Sequence, residues 1–284
     1  MKKYQLIVVG GGPGGYTAAF RAAELGMSVA IVDDNDLGGV CLNWGCIPTK
    51  SLLKNAEVFE LINNANSYGI EVGKPKIHFE KIINKTIQAR KRLSKGLHFQ
   101  VRKLGVDFFP GFATFIDQNS IEVDGNTLHG DTFIIATGSK AKHLHSIDHS
   151  GGNVMTAKEI FSLKKLPESM TIIGAGAIGV EFAYFFNALG AKITLIEAQE
   201  NILPNEDIEI SQWMHKVLKR KKIKILTRSI FLQGIIFLNK QVIMNKFGKH
   251  SNEKRALHCK NVGRVFMYSL CIRLLERYKF PHLD

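Results

Sequence analysis

The sequence predicts an α/β fold made of two units, each with a parallel sheet at its centre. Three observations support this prediction. A pattern of strand, glycine-rich turn, helix and strand occurs twice with the same spacing. The strands of this pattern are nearly continuous apolar runs, as strands covered on both faces are. The length of 284 residues is enough for two domains with a core each.

The first copy of the pattern lies at the start of the chain. Its parts are an apolar strand (4–9), a G-x-G-x-x-G motif (Gly10, Gly12, Gly15), an Ala-rich helix (16–25) closed by Gly26, and a strand (27–32) that ends at Asp33. In such a unit the glycines allow a tight turn, the approach of a pyrophosphate and close packing of the helix, whose N-terminus favours phosphate. The acid at the strand end can accept hydrogen bonds from a ribose diol.

The second copy has the same register. Its parts are a strand (170–173), a second motif (Gly174, Gly176, Gly179), a helix up to Leu189 closed by Gly190, and a strand (192–196) that ends at Glu197. Two copies at equal spacing argue against a chance glycine cluster, so the sequence predicts two dinucleotide sites. A carboxylate at position 197 favours the free ribose hydroxyl of NAD over the phosphate of NADP.

Between the two copies lies a pair of cysteines, Cys41 and Cys46. On a regular helix their Cα atoms would be about 8–9 Å apart, beyond the limit of about 7 Å for a disulfide. A bridge would therefore require a bent segment. Gly45 lies between the cysteines, and Pro48 disfavours a helical conformation at Ile47, so both fit that requirement.

Three interpretations of the cysteine pair follow from the residues alone. A zinc site would need two more Cys or His ligands at matching spacing, and the neighbouring sequence supplies none. The pair could be inert core thiols. A catalytic dithiol needs a nearby positive charge to hold a thiolate, for which Lys50 is the candidate.

The segment from residue 38 to residue 50, GGVCLNWGCIPTK, resembles the redox-active segment of the pyridine nucleotide–disulfide oxidoreductases. The sequence of this segment is most similar to that of the dihydrolipoamide dehydrogenase branch. Glutathione and mercuric reductases usually carry Val at the positions of Leu42 and Ile47. The resemblance extends from about residue 4 to about residue 225 of this chain. It implies two Rossmann-like domains, one for FAD and one for NAD.

The resemblance also implies roles for individual residues. Cys46 would be the thiolate next to the flavin, and Cys41 the thiol that exchanges with substrate. Lys50 would lie beside flavin N5 and pair with Glu181. Electrons would pass from dihydrolipoamide through the Cys41–Cys46 disulfide and FAD to NAD.

Further cofactor-binding positions follow from the same resemblance. Ala113 belongs to a backbone stretch near the flavin adenine, and Thr137 and Gly138 follow the strand that closes the first FAD half. The expected cofactor-binding set is Gly10, Gly12, Gly15, Asp33, Lys50, Ala113, Thr137, Gly138, Gly174, Gly176, Gly179, Glu197 and Gly263. No metal site is expected, and His143, His145 and His149 are interpreted as part of a solvated loop.

The family pattern predicts a domain order and several missing parts. We expect an FAD-binding domain over residues 1–147 with the cysteine pair, an NAD-binding domain over 148–265, and an atypical basic tail over 266–284. The returning FAD segment and the dimer-interface domain, with its acid–base His and Glu, are expected to be absent from this chain. The expected partner is a lipoyl-bearing subunit of a 2-oxo-acid dehydrogenase complex. A homodimer is expected for the family, with its interface domain missing here, and neither nucleic acid nor a membrane is expected as a partner.

The formal charge of +13 is concentrated at one end. Residues 216–284 carry 17 Lys and Arg against 3 Asp and Glu, whereas residues 1–215 are nearly neutral. We interpret the basic tail as the product of a frameshifted or shortened reading frame, in preference to a nucleic-acid-binding arm or a membrane-surface helix. With neither an apolar span nor a disulfide framework in prospect, the expected compartment is the cytoplasm.

Two hypotheses from different classes remain at this stage. The first is a dihydrolipoamide dehydrogenase-type flavoenzyme, with a related disulfide or mercuric reductase as its nearest variant. The second is a folded nucleotide-binding remnant without lipoamide turnover. Binding of FAD and formation of the Cys41–Cys46 disulfide support the first hypothesis, and the absence of NADH-dependent lipoamide turnover supports the second.

Overall fold

The structure is a computed structural model that describes residues 2–141 and 154–229 and the backbone of residues 230–232, 235–238, 257–258, 265–268 and 271–273. It divides into two compact units. The first contains Met1–Pro48, Lys85–Lys140 and Ile272–Asp284, and the second contains Thr49–Asn84 and Ala141–Cys271. Gly263 and the three linker histidines, for which the sequence makes predictions, lie outside the described residues.

The first unit is built on a six-stranded sheet. Its strands are β1 (Lys2–Val9), β2 (Val29–Asp33), β3 (Asp107–Pro110), β4 (Ala113–Asp117), β5 (Ser120–Val123) and β6 (Asn126–Ile135), and the first helices of the chain are α1 (Pro13–Glu24), α2 (Gly39–Asn43), α3 (Cys46–Asn63) and α4 (Phe79–Lys103). The sheet order is β3-β2-β1-β6-β5-β4. The first four of these strands are parallel, and β5 and β4 continue the sheet as antiparallel strands.

Both faces of this sheet are covered, which explains the continuous apolar run of β1. Ile7 and Val9 belong to a core cluster with residues of β4 and β5, whereas Leu6 and Val8 belong to a second cluster with residues of α1 and α4. Successive strand residues point to opposite faces, so a strand covered on both sides has apolar residues throughout.

The second unit has a parallel five-stranded sheet. The remaining strands of the chain are β7 (Ser139–Ala141), β8 (Val154–Thr156), β9 (Ser169–Ile173), β10 (Lys192–Ile196), β11 (Lys224–Leu226), β12 (Ser229–Leu232), β13 (Ile235–Leu238), β14 (Leu257–His258), β15 (Val265–Tyr268) and β16 (Cys271–Arg273), and the remaining helices are α5 (Ala177–Ala188) and α6 (Ile208–Arg220). The sheet order is β11-β10-β9-β15-β8. A small antiparallel sheet, β12-β13-β14, and the pair β16-β7 complete the described strands.

The core of the second unit is aromatic. Phe182, Phe185 and Phe186 of α5 are completely buried. The ring of Phe79, at the start of α4, lies 6.4 Å from that of Phe185 and 6.3 Å from that of Phe186. Large aromatic side chains of α5 and the start of α4 therefore form this part of the core, and their burial is favourable to packing.

The predicted fold class and the strands of both repeats are confirmed. Helix α1, however, begins at Pro13 and not at residue 16 as predicted. A proline fits the first turn of a helix, where its missing N–H is not needed. Gly26 has a φ of +86° and closes α1 as predicted, with its N–H donating to Ala23 O.

Candidate dinucleotide and dithiol sites

The first glycine motif forms a tight loop between β1 and α1. Gly10 has a φ of +111°, and its N–H donates to Val32 O at 2.7 Å. A Cβ atom on Gly10 would lie 2.2 Å from Ala136 O, and one on Gly15 would lie 1.8 Å from Gly10 O. Both positions therefore require glycine, because the backbone of the loop occupies the space that a side chain would need.

The second motif repeats this geometry in the second unit. Gly174 has a φ of +94°, and its N–H donates to Ile196 O at 2.8 Å. A Cβ atom on Gly179 would lie 1.9 Å from Gly174 O, which matches the close approach in the first loop. The sequence repeat is thus also a repeat in backbone structure.

Each loop leaves a helix N-terminus open to a ligand. The N-cap residues are Gly12 of α1 and Gly176 of α5, and neither helix has a side-chain cap or an acidic residue in its first turn. A Cβ on Gly12 would meet nothing closer than 3.8 Å, and one on Gly176 would meet nothing within 4 Å. Uncapped N–H groups with free space above them fit a pyrophosphate group. The residues of both units therefore fit a dinucleotide.

The two strand-end acids return to the glycine loops. Asp33 accepts a hydrogen bond from Gly11 N–H at 2.6 Å, and Glu197 accepts one from Ala175 N–H at 2.7 Å. Burial raises the pKa of the Asp33 carboxyl, and its backbone hydrogen bonds from Gly11 and Asn35 oppose that effect. Each carboxylate oxygen has two acceptor positions, so these acids can hold the loop and still accept a ribose hydroxyl.

This loop-holding role of the acids was not predicted from the sequence. The signal available was the spacing, because Gly11 and Asp33 are 22 residues apart and so are Ala175 and Glu197. Spacing alone does not show that a carboxylate turns back to bind the loop, since that depends on the pairing of the two strands.

The first loop lies where the strand order of the sheet reverses. β2 and β3 follow on one side of β1, while β6 lies on the other side. Thr137 and Gly138 follow the end of β6, and Ala136 N–H donates to Val9 O at 2.7 Å, next to Gly10. Crevices at such switch points are where parallel sheets bind ligands. The structure therefore brings these two predicted residues to the first glycine loop.

Ala113 lies at the start of β4, the last strand in the order of the sheet and three strands away from β1. The residue is 2% exposed and belongs to the sheet core, so its side chain is not available to a ligand. The preceding Gly111 donates its N–H to Asp33 O at 2.9 Å. This bond places the 111–113 stretch beside the strand-end acid.

The cysteine segment is bonded directly to the first glycine loop. Gly38 N–H donates to Gly11 O at 2.8 Å, and a Cβ on Gly39 would lie 2.7 Å from Gly12 Cα. Helix α2, which contains Cys41, begins at that contact. The dithiol segment is therefore adjacent to the place where the first unit would hold a pyrophosphate.

The segment bends between the two cysteines, as their spacing predicts. Helix α2 ends at Asn43, Trp44 has a φ of −152°, and α3 begins at Cys46. No disulfide joins the two cysteines in this structure; Cys41 is half-buried and Cys46 is exposed. The prediction that Ile47 is non-helical is wrong, because α3 includes it. Pro48 falls in the first turn of α3, where its missing N–H removes no hydrogen bond.

Lys50 lies one turn after Cys46 on α3, and its Nζ is 2.6 Å from Glu181 Oε1 in α5. The Lys50 side chain is 61% exposed, and that of Glu181 is 24% exposed. The spacing of four residues places Lys50 and Cys46 on one face of the helix. A cation is thus held on the face that begins with Cys46.

Asn43 is a site residue that sequence reasoning missed. Its side chain is 5% exposed, and its Nδ2 donates to the carbonyl oxygens of Asp36, Leu37 and Gly39 at 3.1–3.2 Å. These bonds close the segment before Cys41 onto the residues after it. Asn43 belongs to the quoted cysteine motif, but its role depends on the fold of the loop.

Two negative findings apply to the part of the chain that the structure describes. There, no three or more His, Cys, Asp or Glu residues lie together in a way that could hold a metal ion. Within the same residues, none of the helices has the length and apolar character needed to cross a membrane.

The chain is similar to known flavoprotein sequences over most of its length. Residues 4–243 match the family model described as pyridine nucleotide-disulphide oxidoreductase. Dihydrolipoyl dehydrogenase from Acholeplasma laidlawii is 41% identical over 233 residues, covering 80% of this chain and 69% of that protein. The one from Zymomonas mobilis is 40% identical over 231 residues, covering 80% and 50%, and the one from Bacillus subtilis is 37% identical over 238 residues, covering 79% and 50%.

A solved structure with a similar fold is the Cu(II) complex of the HOCl-induced flavoprotein disulfide reductase RclA from Escherichia coli. It matches with a TM-score of 0.73 and 25% identity, covering 95% of this chain and 56% of that one. The chain thus spans about half the length of most of these relatives.

Proposed function

The chain belongs to the pyridine nucleotide-disulphide oxidoreductase family, and we propose that it carries the FAD, NAD and dithiol sites of a dihydrolipoyl dehydrogenase. The observation that carries this proposal is the direct bond between the dithiol segment and the first glycine loop, from Gly38 N–H to Gly11 O. A redox pair next to a pyrophosphate cradle suits the transfer of electrons from thiols to a dinucleotide.

The first unit would hold FAD through the N-terminus of α1 and the end of β6. Gly12 leaves the phosphate position open, Asp33 would accept a ribose hydroxyl, and Thr137 and Gly138 would lie across the crevice. The second unit would hold NAD in the same way through Gly176 and Glu197. When bound, FAD would supply an acceptor for the electron pair of the dithiol and a hydride donor for NAD.

The protein's own chemistry would take place at the cysteines. A thiolate of dihydrolipoamide attacks Cys41 Sγ of the oxidised pair, and the bond between Cys41 and Cys46 breaks with Cys46 leaving as a thiolate. The second substrate thiol, after losing its proton, then displaces Cys41 and closes the lipoyl disulfide. Two substrate thiols are oxidised, the protein disulfide is reduced, and two protons are released.

Electrostatics on α3 supports the assignment of Cys46 as the leaving thiolate. Cys46 is the first residue of the helix, where the helix dipole favours negative charge. Lys50 lies one turn further on the same face and is held by Glu181. As part of the proposal, the ion pair with Glu181 would orient Lys50 toward the flavin.

A lipoyl-bearing subunit of a 2-oxo-acid dehydrogenase complex would deliver the substrate, and the reaction would take place in the cytoplasm. A homodimer is the assembly that the family resemblance implies.

A visible absorption spectrum with added FAD tests the proposal. We expect the purified chain to bind flavin and, after reduction with NADH, to show a long-wavelength charge-transfer band from the Cys46 thiolate. Cys46→Ser should remove that band, whereas the matched variant Cys41→Ser should keep it. A chain that stays colourless with FAD would refute the proposal.

A second assay distinguishes this function from its alternatives. NADH-dependent reduction of lipoamide supports a dihydrolipoyl dehydrogenase, while preferential turnover of another disulfide or of Hg²⁺ supports a related reductase. FAD and NAD binding with no turnover of any of these would identify a nucleotide-binding polypeptide without the enzyme's activity.

A further inference from the structure

Asp36 connects helix α4 to the segment that carries Cys41. Ser94 Oγ donates to Asp36 Oδ2 at 2.8 Å, and His98 Nε2 lies 2.6 Å from Asp36 Oδ1. Ser94 and His98 are four residues apart on α4, so both side chains lie on the same face of that helix. We refer to Asp36, Ser94 and His98 as the Asp36 cluster.

The same aspartate takes part in the closure of the loop around α2. Its main-chain oxygen accepts from Asn43 Nδ2 at 3.1 Å, and its side chain accepts from Leu37 N–H at 3.0 Å. Asn43 ends α2, and Leu37 directly precedes the two glycines that begin it. A displacement of Asp36 would therefore reach both ends of the helix that contains Cys41.

The charge state of Asp36 makes it a good acceptor. Burial alone would raise the pKa of its carboxyl. Hydrogen bonds from His98, Ser94 and Leu37, together with the Coulombic effect of His98, outweigh burial and lower the pKa. With an ionised acceptor, His98 Nε2 must carry the hydrogen of the shared bond. The His98 ring also packs edge-on against Phe108, with centroids 5.9 Å apart, which limits its rotation.

We propose that the Asp36 cluster positions the dithiol segment and thereby sets the exchange rate of Cys41. The cluster acts on α2 through Asp36 and Asn43. With the cluster intact, α2 stays closed on the glycine loop and Cys41 remains half-buried. Without the donors from α4, α2 opens more often and Cys41 becomes more accessible. This inference rests on the proposed dithiol function of Cys41.

The test measures the alkylation of Cys41 by iodoacetamide in the reduced, full-length chain, with Cys46→Ser as the background so that the neighbouring thiol does not compete. Peptide mapping separates Cys41 from the other cysteines. His98→Leu should raise the alkylation rate about threefold to tenfold, because it removes one partly exposed, charge-assisted hydrogen bond. Ser94→Ala, which hardly changes the packing volume, should raise it about twofold to threefold.

Two matched variants separate positioning from general support of α4. His98→Gln keeps an N–H donor at a similar distance from the backbone and should restore the rate to within about twofold of the parent. Lys95→Ala changes an exposed residue of the same helix and should have no effect. Amide hydrogen exchange at residues 39–43 should increase in His98→Leu and stay at the parent's rate in His98→Gln and Lys95→Ala.

Several outcomes would overturn the inference. One is alkylation of Cys41 at the same rate in His98→Leu as in Lys95→Ala. Another is alkylation of Cys41 at the same raised rate in His98→Gln as in His98→Leu, which would assign the effect to packing on Phe108. If His98→Leu does not fold, Ser94→Ala decides alone. Alkylation needs neither cofactor, so a chain without FAD binding would refute the proposed function and leave this test intact. A flavin-binding chain with unchanged alkylation would refute only the positioning role.

Discussion

The exchange of Gly15 for alanine tests whether the first glycine loop has the geometry described above. A Cβ on Gly15 would lie 1.8 Å from Gly10 O and 3.2 Å from Val8 Cγ1. A Cβ atom cannot approach a carbonyl oxygen as closely as 1.8 Å. Helix α1 and the loop must therefore separate by about 1 Å, at a cost of about 1–3 kcal/mol. The adjacent Gly14 provides the matched control, since its Cβ would meet nothing within 4 Å.

Gly14→Ala should stabilise the chain slightly. Alanine is a better helix former than glycine and restricts the unfolded chain, which together are worth about 0.4–1 kcal/mol. The two variants should therefore differ by about 1.4–4 kcal/mol in the free energy of unfolding of the first unit, although the two positions are adjacent in the same turn of α1.

Denaturant unfolding followed by tryptophan fluorescence measures this difference. The chain has two tryptophans, Trp44 in the first unit and Trp213, which is 61% exposed. In a Trp213→Phe background, Trp44 alone reports unfolding of the first unit. Flavin titration of the same proteins should show FAD bound at least about tenfold more weakly by Gly15→Ala, because the helix N-terminus is displaced from the phosphates. Equal stability and equal FAD affinity in the two variants would refute the loop geometry.

Three further predictions concern side chains around the dithiol and α5. Burial and the hydrogen bond to Glu60 raise the pKa of Tyr184 to about 12. The stabilisation by the protonated Tyr184 hydroxyl is therefore complete below pH 10 and is lost as the pH rises toward 12. In an ultraviolet titration Glu60→Gln should lower this pKa, and an unchanged value would contradict the assignment. Lys50→Ala should change the free energy of unfolding by less than about 1 kcal/mol, because the ion pair is largely exposed, but it should slow NADH-dependent reduction of the disulfide at least about tenfold. The control Lys54→Ala, at an exposed lysine of the same helix, should leave both the stability and this rate unchanged. Equal rates in the two variants would argue against the role of Lys50. Asn43→Ala removes three hydrogen bonds from a buried amide and should destabilise the first unit by about 1–3 kcal/mol, with increased hydrogen exchange in α2; exchange at the parent's rate would show that the amide does not hold the loop.

Local patterns in the sequence were enough to predict both repeats, whereas the dithiol role of the cysteine pair followed from the family resemblance and stays a prediction. A glycine turn between an apolar strand and a helix depends on neighbouring residues, so the strands, helices and loop glycines were predictable. The bend between Cys41 and Cys46 was predictable for the same reason, since Gly45 lies within it. The helical conformation of Ile47 was not, because the effect of Pro48 depends on where a helix begins.

Contacts between residues far apart in the chain were decided by the tertiary structure. The return of Asp33 and Glu197 to their loops requires the pairing of two strands, and the bond from Asp36 to His98 spans 62 residues. The hydrogen bond from Gly38 N–H to Gly11 O, which joins the dithiol segment to the glycine loop, likewise forms only in the folded chain. Polar side chains have short-range, directional bonds with little local signal, so their partners are determined only when the sheet and helices bring them within about 3 Å of each other.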